Sequence, residues 1–158
     1  MNPGCVVLGM VTYLIIILII AVALAPLASA LPSKAQRREA QIRSYASSLG
    51  LTIKLEPIPD IPARFRFSSS PNLVAYRLRE ATSGDGVQDK LLLLRMEGQW
   101  IDVSTESAVN LSVDDGPLGA EMAIVNRGVA TIFWNERGDE DDVDRLHQLL
   151  RDLLAFQR

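Results

Sequence analysis

No charged side chain precedes Lys34. Within that uncharged start, Val6 to Ala25 reads VVLGMVTYLIIILIIAVALA, twenty residues broken only by Gly9, Thr12 and Tyr13. At about 1.5 Å of rise per residue, roughly 20 apolar residues match a hydrocarbon core about 30 Å thick. Basic residues then follow directly at Lys34, Arg37, Arg38 and Arg43. Lysine and arginine close to a membrane end hold that end in the cytoplasm. The pattern predicts an uncleaved single-pass anchor over residues 1–32 with a cytoplasmic domain behind it.

The rival reading is a cleaved secretory signal, because Ala28-Ser29-Ala30 has the small-x-small form of a cleavage site. A signal peptide carries a positive n-region and an apolar stretch of about 7–15 residues. Here Met1 to Gly4 bear no charged side chain, the apolar stretch is longer, and the basic residues all lie C-terminal. The anchor is the better reading.

From Ser33 to Arg158 the chain has 126 residues, the usual size of one domain. Its only cysteine is Cys5, so this part contains no thiol for a disulfide, a zinc thiolate or a cysteine nucleophile. Cys5 itself reads as a small apolar residue rather than an acylation site. The net charge of −3 conceals an asymmetry: +4 from Lys34 to Arg66 and −7 from Phe67 to Arg158. Cations beside anionic lipid are worth about 1 kcal/mol each, whereas the acidic part argues against nucleic acid as a partner.

Ser33-Lys-Ala-Gln36 has the form of a capping box, and Ala35, Ile42, Tyr45, Ala46 and Leu49 recur at helical spacing up to Gly50. This predicts an amphipathic helix over 34–49, within a juxtamembrane segment 33–50, whose Lys34, Arg37, Arg38 and Arg43 contact lipid headgroups. After Gly50 the period becomes two. Leu51 to Glu56 reads as a half-buried strand, Pro57, Pro59 and Pro62 as a stiff connection, and Arg64 to Phe67 as a second alternating strand. Leu73–Arg79 and the apolar run Lys90–Met96 are further strands, the latter covered on both faces, with a loop at Ser83–Gly86 between them. Glu97-Gly-Gln99 turns into Trp100–Ser104, and Val109, Leu111 and Val113 alternate before the turn Asp114–Pro117. A second hairpin joins Met122–Val125 to Val129–Asn135 through Asn126-Arg-Gly128. Asp139 caps a closing helix whose Val143, Leu146, Leu149, Leu150, Leu153, Leu154 and Phe156 form one apolar face.

The expected fold is therefore α+β: a transmembrane helix, an amphipathic helix, and a soluble domain over 51–158. In that domain seven or eight strands form an antiparallel meander or curled sheet, closed by the C-terminal helix.

Motifs for chemistry are sparse. His147, the only histidine, borders the apolar face of the last helix with no nucleophile or orienting partner identified by spacing. The acidic run Asp139–Asp144 lacks the alternate ligand spacing, the glycine and the closing glutamate of a calcium loop, and suits the positive end of a helix dipole. Ser83–Gly86 and Asp114–Gly116 carry turn glycines without the spacing of a phosphate loop, and no GxSxG elbow occurs. The sequence assigns no catalytic, cofactor-binding or metal-binding residue.

The apolar span followed by Leu31-Pro-Ser-Lys-Ala-Gln-Arg-Arg-Glu-Ala-Gln41 resembles short single-pass inner-membrane proteins of Gram-negative bacteria. The same layout is similar to YajC, the accessory subunit of the bacterial preprotein translocase. The resemblance covers roughly 40 residues and rests on the general layout of a span and a basic helix. That subunit follows its helix with a small glycine-rich β-domain, whereas LTIKLEPIPDIP and a larger strand-rich region follow here, so no functional residue is carried over. The element order also looks like a pleckstrin-homology-type roll. The resemblance implies a bacterial inner-membrane location. The expected function is a non-enzymatic, membrane-tethered cytoplasmic module with a protein partner. Alternatives are a lipid or small-ligand binder using a curled sheet, and a hydrolase built on His147.

Overall fold

The computed structural model describes residues 3–29, 33–80, 90–111 and 116–156, with the side chains of the first helix described from Met10 to Ala25. The loop expected at Ser83–Gly86, Val113, the start of the turn at Asp114, and Ala30 and Pro32 of the membrane exit lie outside the described residues. By contacts the chain divides into Met1–Arg37 and Arg38–Arg158. That boundary falls inside the second helix, not after it.

In the first unit, α1 (Pro3–Ser29) is a 27-residue helix, and its described side chains are all exposed. Among the described residues, no helix is long and apolar enough to cross a membrane. The second helix, α2 (Lys34–Ser48), opens with the expected capping box. Ser33 Oγ accepts from the Gln36 amide at 3.2 Å, and Gln36 Oε1 accepts from the Ser33 amide at 2.9 Å.

The second unit contains the rest of α2 and everything after it. The helix ends in a Schellman turn: Gly50 takes φ +82°, the Leu51 amide donates to Ala46 O, and the Gly50 amide donates to Ser47 O. Leu51 and Ala46 are both buried in the core beside it, the apolar contact that accompanies this motif.

Seven strands follow: β1 (Thr52–Lys54), β2 (Val74–Arg79), β3 (Leu91–Met96), β4 (Gln99–Asp102), β5 (Ala108–Val109), β6 (Ala120–Asn126) and β7 (Val129–Trp134). The closing helix is α3 (Glu140–Phe156). All pairings are antiparallel, in the order β1-β2-β7-β6-β3-β4-β5, and the sheet is open. This corrects the expected meander. The chain leaves β2, skips two places to β3, and returns at the end to fill the gap with the β6–β7 hairpin. Both hairpins turn on two residues of positive φ, Glu97-Gly98 and Arg127-Gly128, as the twist-compatible type I′ turn demands.

Strand alternation sorts side chains to two faces. Tyr76, Leu93, Val125, Ile132 and Trp134 share one core with Ile42 and Ala46 of α2 and the apolar face of α3. Ala75, Leu94, Met122 and Phe133 face the other way, against Ile58, Ile61, Phe65 and Phe67. The proline-rich segment thus forms a cover for the second face. It is fastened by ion pairs of Glu56 with Arg77 and of Arg64 with Glu106, and by Ser70 donating to Glu121 at the bulge of β6.

The expected strand at Arg64–Phe67 does not form. Ala63–Phe65 is a 3₁₀ turn and Arg66 sits at φ +46°. The alternation nevertheless did its work, since both rings point into the core and both guanidinium groups outward. Among the described residues no strand pairs with this segment, so the ladder that would make it β is missing. On α3, Phe156 departs from the predicted apolar face and is 56% exposed.

Candidate functional site

The four cations expected at lipid separate into two pairs. Lys34 and Arg37, in the first unit, are exposed and make no side-chain hydrogen bond or ion pair among the described residues. Arg38 and Arg43 are engaged by the domain itself. Arg38 donates through Nε and Nη2 to Gly138 O at 3.0 and 2.6 Å. Arg43 donates through Nε to Glu136 Oε1 at 2.7 Å and through Nη2 to Oε2 at 2.6 Å. Gln41 Nε2 reaches Glu140 Oε1 at 3.0 Å and Tyr45 Oη reaches Asp144 Oδ1 at 3.0 Å. One stripe of α2 is therefore engaged by the β7–α3 connection and the first turns of α3.

Glu136 is the centre of this junction. It follows the end of β7, takes a left-handed φ of +57°, and is 8% exposed. Its Oε1 also accepts from Tyr76 Oη at 2.7 Å, from a side chain that β2 buries completely. Burial, and then the hydrogen bond to Glu136, raise the Tyr76 phenol well above its ordinary value. The bond to Glu136 likewise raises the Arg43 guanidinium against the opposing effect of burial. Both carboxylate oxygens carry donors. A carboxylate holding three donors in a buried junction fastens elements together.

A second satisfied acid lies after β4. Asp102 accepts from the Ser104 amide at 2.8 Å, Ser104 Oγ at 2.6 Å and Thr105 Oγ1 at 3.0 Å. Burial pushes its carboxyl up, but these hydrogen bonds outweigh burial and hold it below its ordinary value. Asp followed by Ser and Thr two and three residues on is a local turn signal that could have been read from the sequence. Glu136 gives no such signal, because its partner Arg43 is 93 residues away.

Elsewhere, a cleft of about 670 Å³ lies between the end of β2 and the last turns of α3. Leu78 and Leu154 give it apolar walls, Arg79 enters from β2, and His147, Arg151 and Asp152 enter from α3. Glu80 and Gln148 complete its polar rim. His147 and Arg151 share a helix face by their i, i+4 spacing. The lining holds no hydroxyl or thiol beside His147, so the nucleophile that a hydrolase needs is not among these residues. Among the described residues, no group of three His, Cys, Asp or Glu side chains could hold a metal ion. Comparison with protein families, with curated proteins and with solved structures finds no match to this chain.

Proposed function

We propose that this protein is a non-enzymatic accessory module, tethered by α1 to a bacterial inner membrane with its strand-rich domain in the cytoplasm and engaging a protein partner there. The observation that carries the reading is the uncharged apolar stretch Val6–Ala25, which lies within a helix running from Pro3 to Ser29 and precedes the first cations at Lys34 and Arg37. Twenty such residues suffice for a span; the side chains described on α1 cover sixteen of its positions, from Met10 to Ala25. Only residues 30–33 join α1 to α2, and Ile42 and Ala46 of α2 are part of the domain's own core. The net −7 from Phe67 onward disfavours nucleic acid as the partner.

Support for the alternatives is weaker. Among the described residues both faces of the open sheet are packed against the chain's own side chains, and the described lining of the cleft at His147 includes no hydroxyl or thiol. The test is a pair of fusions after Arg158 together with affinity purification in mild detergent. A fluorescent protein should be active, alkaline phosphatase silent, and a stoichiometric membrane partner recovered. Active phosphatase overturns the topology. Repeated recovery of the protein alone overturns the accessory role.

A further inference from the structure

The cleft beside α3 brings two exposed guanidinium groups and a buried, unpartnered carboxylate oxygen to one place. Arg79 and Arg151 make no side-chain hydrogen bond or ion pair among the described residues. Arg38, Arg43, Arg64, Arg77, Arg95 and Arg145 are engaged by acceptors of the chain, while Arg37, Arg66 and Arg137 are exposed without such a bond among the described residues but do not line this cleft. Asp152 shows the reverse need. Its Oδ1 accepts from Gln148 Nε2 at 3.3 Å, while its Oδ2 is buried without a hydrogen-bond partner. A buried acceptor without a donor is unfavourable, and a ligand that brings one would relieve it.

The donor set favours a phosphate over a carboxylate. One guanidinium satisfies both oxygens of a carboxylate through its planar fork, whereas two guanidinium groups and an imidazole suit the three outer oxygens of a phosphate ester. Glu80, the other acid of the rim, is already engaged, which leaves Asp152 to take a cationic donor. The volume is in the range of small-molecule sites, and Leu78 and Leu154 offer surface to a short hydrocarbon chain. We infer that this cleft binds an aminoalkyl phosphate, with its phosphate between Arg79 and Arg151 beside His147 and its primary ammonium on Asp152. The shared chemistry is an anionic phosphate carrying a primary ammonium: a free aminoalkyl phosphate offers three outer oxygens, one to each cleft donor, and the diester headgroup of an aminophospholipid offers two, enough for the two guanidinium groups. The inference does not depend on α1 lying in a membrane.

His147 is the only histidine of the chain, so its ring is a single-site reporter by NMR of the full-length protein in neutral detergent. O-phosphoethanolamine should move the His147 resonances saturably, inorganic phosphate should bind about tenfold more weakly, and ethanolamine alone should do nothing at roughly 10 mM. Arg79→Gln and Arg151→Gln, both at exposed positions, should each weaken phosphoethanolamine about tenfold. Asp152→Asn should abolish the preference for phosphoethanolamine over phosphate. Unmoved resonances, equal affinity for the two anions, or a preference that survives Asp152→Asn would each overturn the assignment. Vesicles separate the sources. A shift with phosphatidylethanolamine but not with phosphatidylcholine, whose headgroup has no N–H donor, identifies a lipid headgroup; a shift with the soluble ester alone identifies a free ligand.

Discussion

Arg43→Met tests what holds α2 to the domain. The substitution keeps much of the aliphatic stem but removes both donors from Glu136, leaving Oε1 with Tyr76 and Oε2 with nothing. Removing one partner of a buried pair costs about 3–5 kcal/mol because the other charge stays buried and unpaired. The Arg43 side chain is 38% exposed against 6% for Glu136, so solvent reaches the arginine side and the expected loss falls to about 2 kcal/mol. Glu136→Gln alone should cost about as much, since its amide group faces a guanidinium that needs acceptors. The decisive comparison is the double variant. With the arginine gone, a neutral amide is easier to bury than a carboxylate, so Glu136→Gln should be neutral or stabilising in the Arg43→Met background. Urea unfolding of the full chain, followed by fluorescence of Trp100 and Trp134, measures all four corners of the cycle. A coupling energy of at least about 1.5 kcal/mol is expected; additivity within about 0.5 kcal/mol would show that the pair is incidental.

Three further outcomes follow from the same geometry. The folded-state pKa of Tyr76 is raised, by burial first and then by Glu136, so its contribution is complete below the ordinary tyrosine value of 10.0 and is lost as pH rises through the folded value. Phenolate absorbance should therefore lag in the folded chain relative to the urea-unfolded one, and Tyr76→Phe should remove most of the lag; a lag unchanged by that substitution assigns it to another tyrosine. Gly138→Ala should destabilise by about 1–3 kcal/mol, because the new Cβ would lie 2.5 Å from the Trp134 ring and that ring is held by its Nε1 donating to Leu118 O at 2.9 Å; an unchanged urea midpoint refutes the clash. On the membrane reading, Lys34→Gln with Arg37→Gln should lose up to about 2 kcal/mol of attraction to anionic lipid and disturb topology in protease protection, with domain stability intact. Arg38→Gln with Arg43→Gln should do the opposite, and identical effects of the two pairs would show that α2 is not divided in this way.

Local rules carried most of the fold. Caps at Ser33 and Asp139, the stop at Gly50, the two turns Glu97-Gly98 and Arg127-Gly128, the alternation around β1 and the β-forming run of β7 are all decided by neighbours in sequence. In the cap of α3, for example, Asp139 Oδ1 accepts from the Asp142 amide and Asp142 Oδ2 from the Asp139 amide, each at 3.2 Å. Strand order was not legible, because pairing β2 with β7 joins Val74 to Trp134 and no local pattern records which distant strand will fit. The cleft was illegible for the same reason: His147 and Arg151 announce a shared face, but Arg79 is brought to them only by the packing of β2 under α3.

The basic pattern of α2 shows how a sound rule can be incomplete. Cations after an apolar span do favour a cytoplasmic, lipid-facing helix, and spacing alone treats Lys34, Arg37, Arg38 and Arg43 as equivalent. What separates them is where acceptors arise in the folded domain. Gly138 presents a carbonyl just before the capping Asp139, and Glu136 is turned inward by its left-handed backbone. Ile42 and Ala46 then bury one side of the same helix, which fixes its rotation and sends Arg38 and Arg43 to those acceptors. The apolar face thus decides which cations the domain keeps. The two that precede it, Lys34 and Arg37, are exposed and find no acceptor among the described residues.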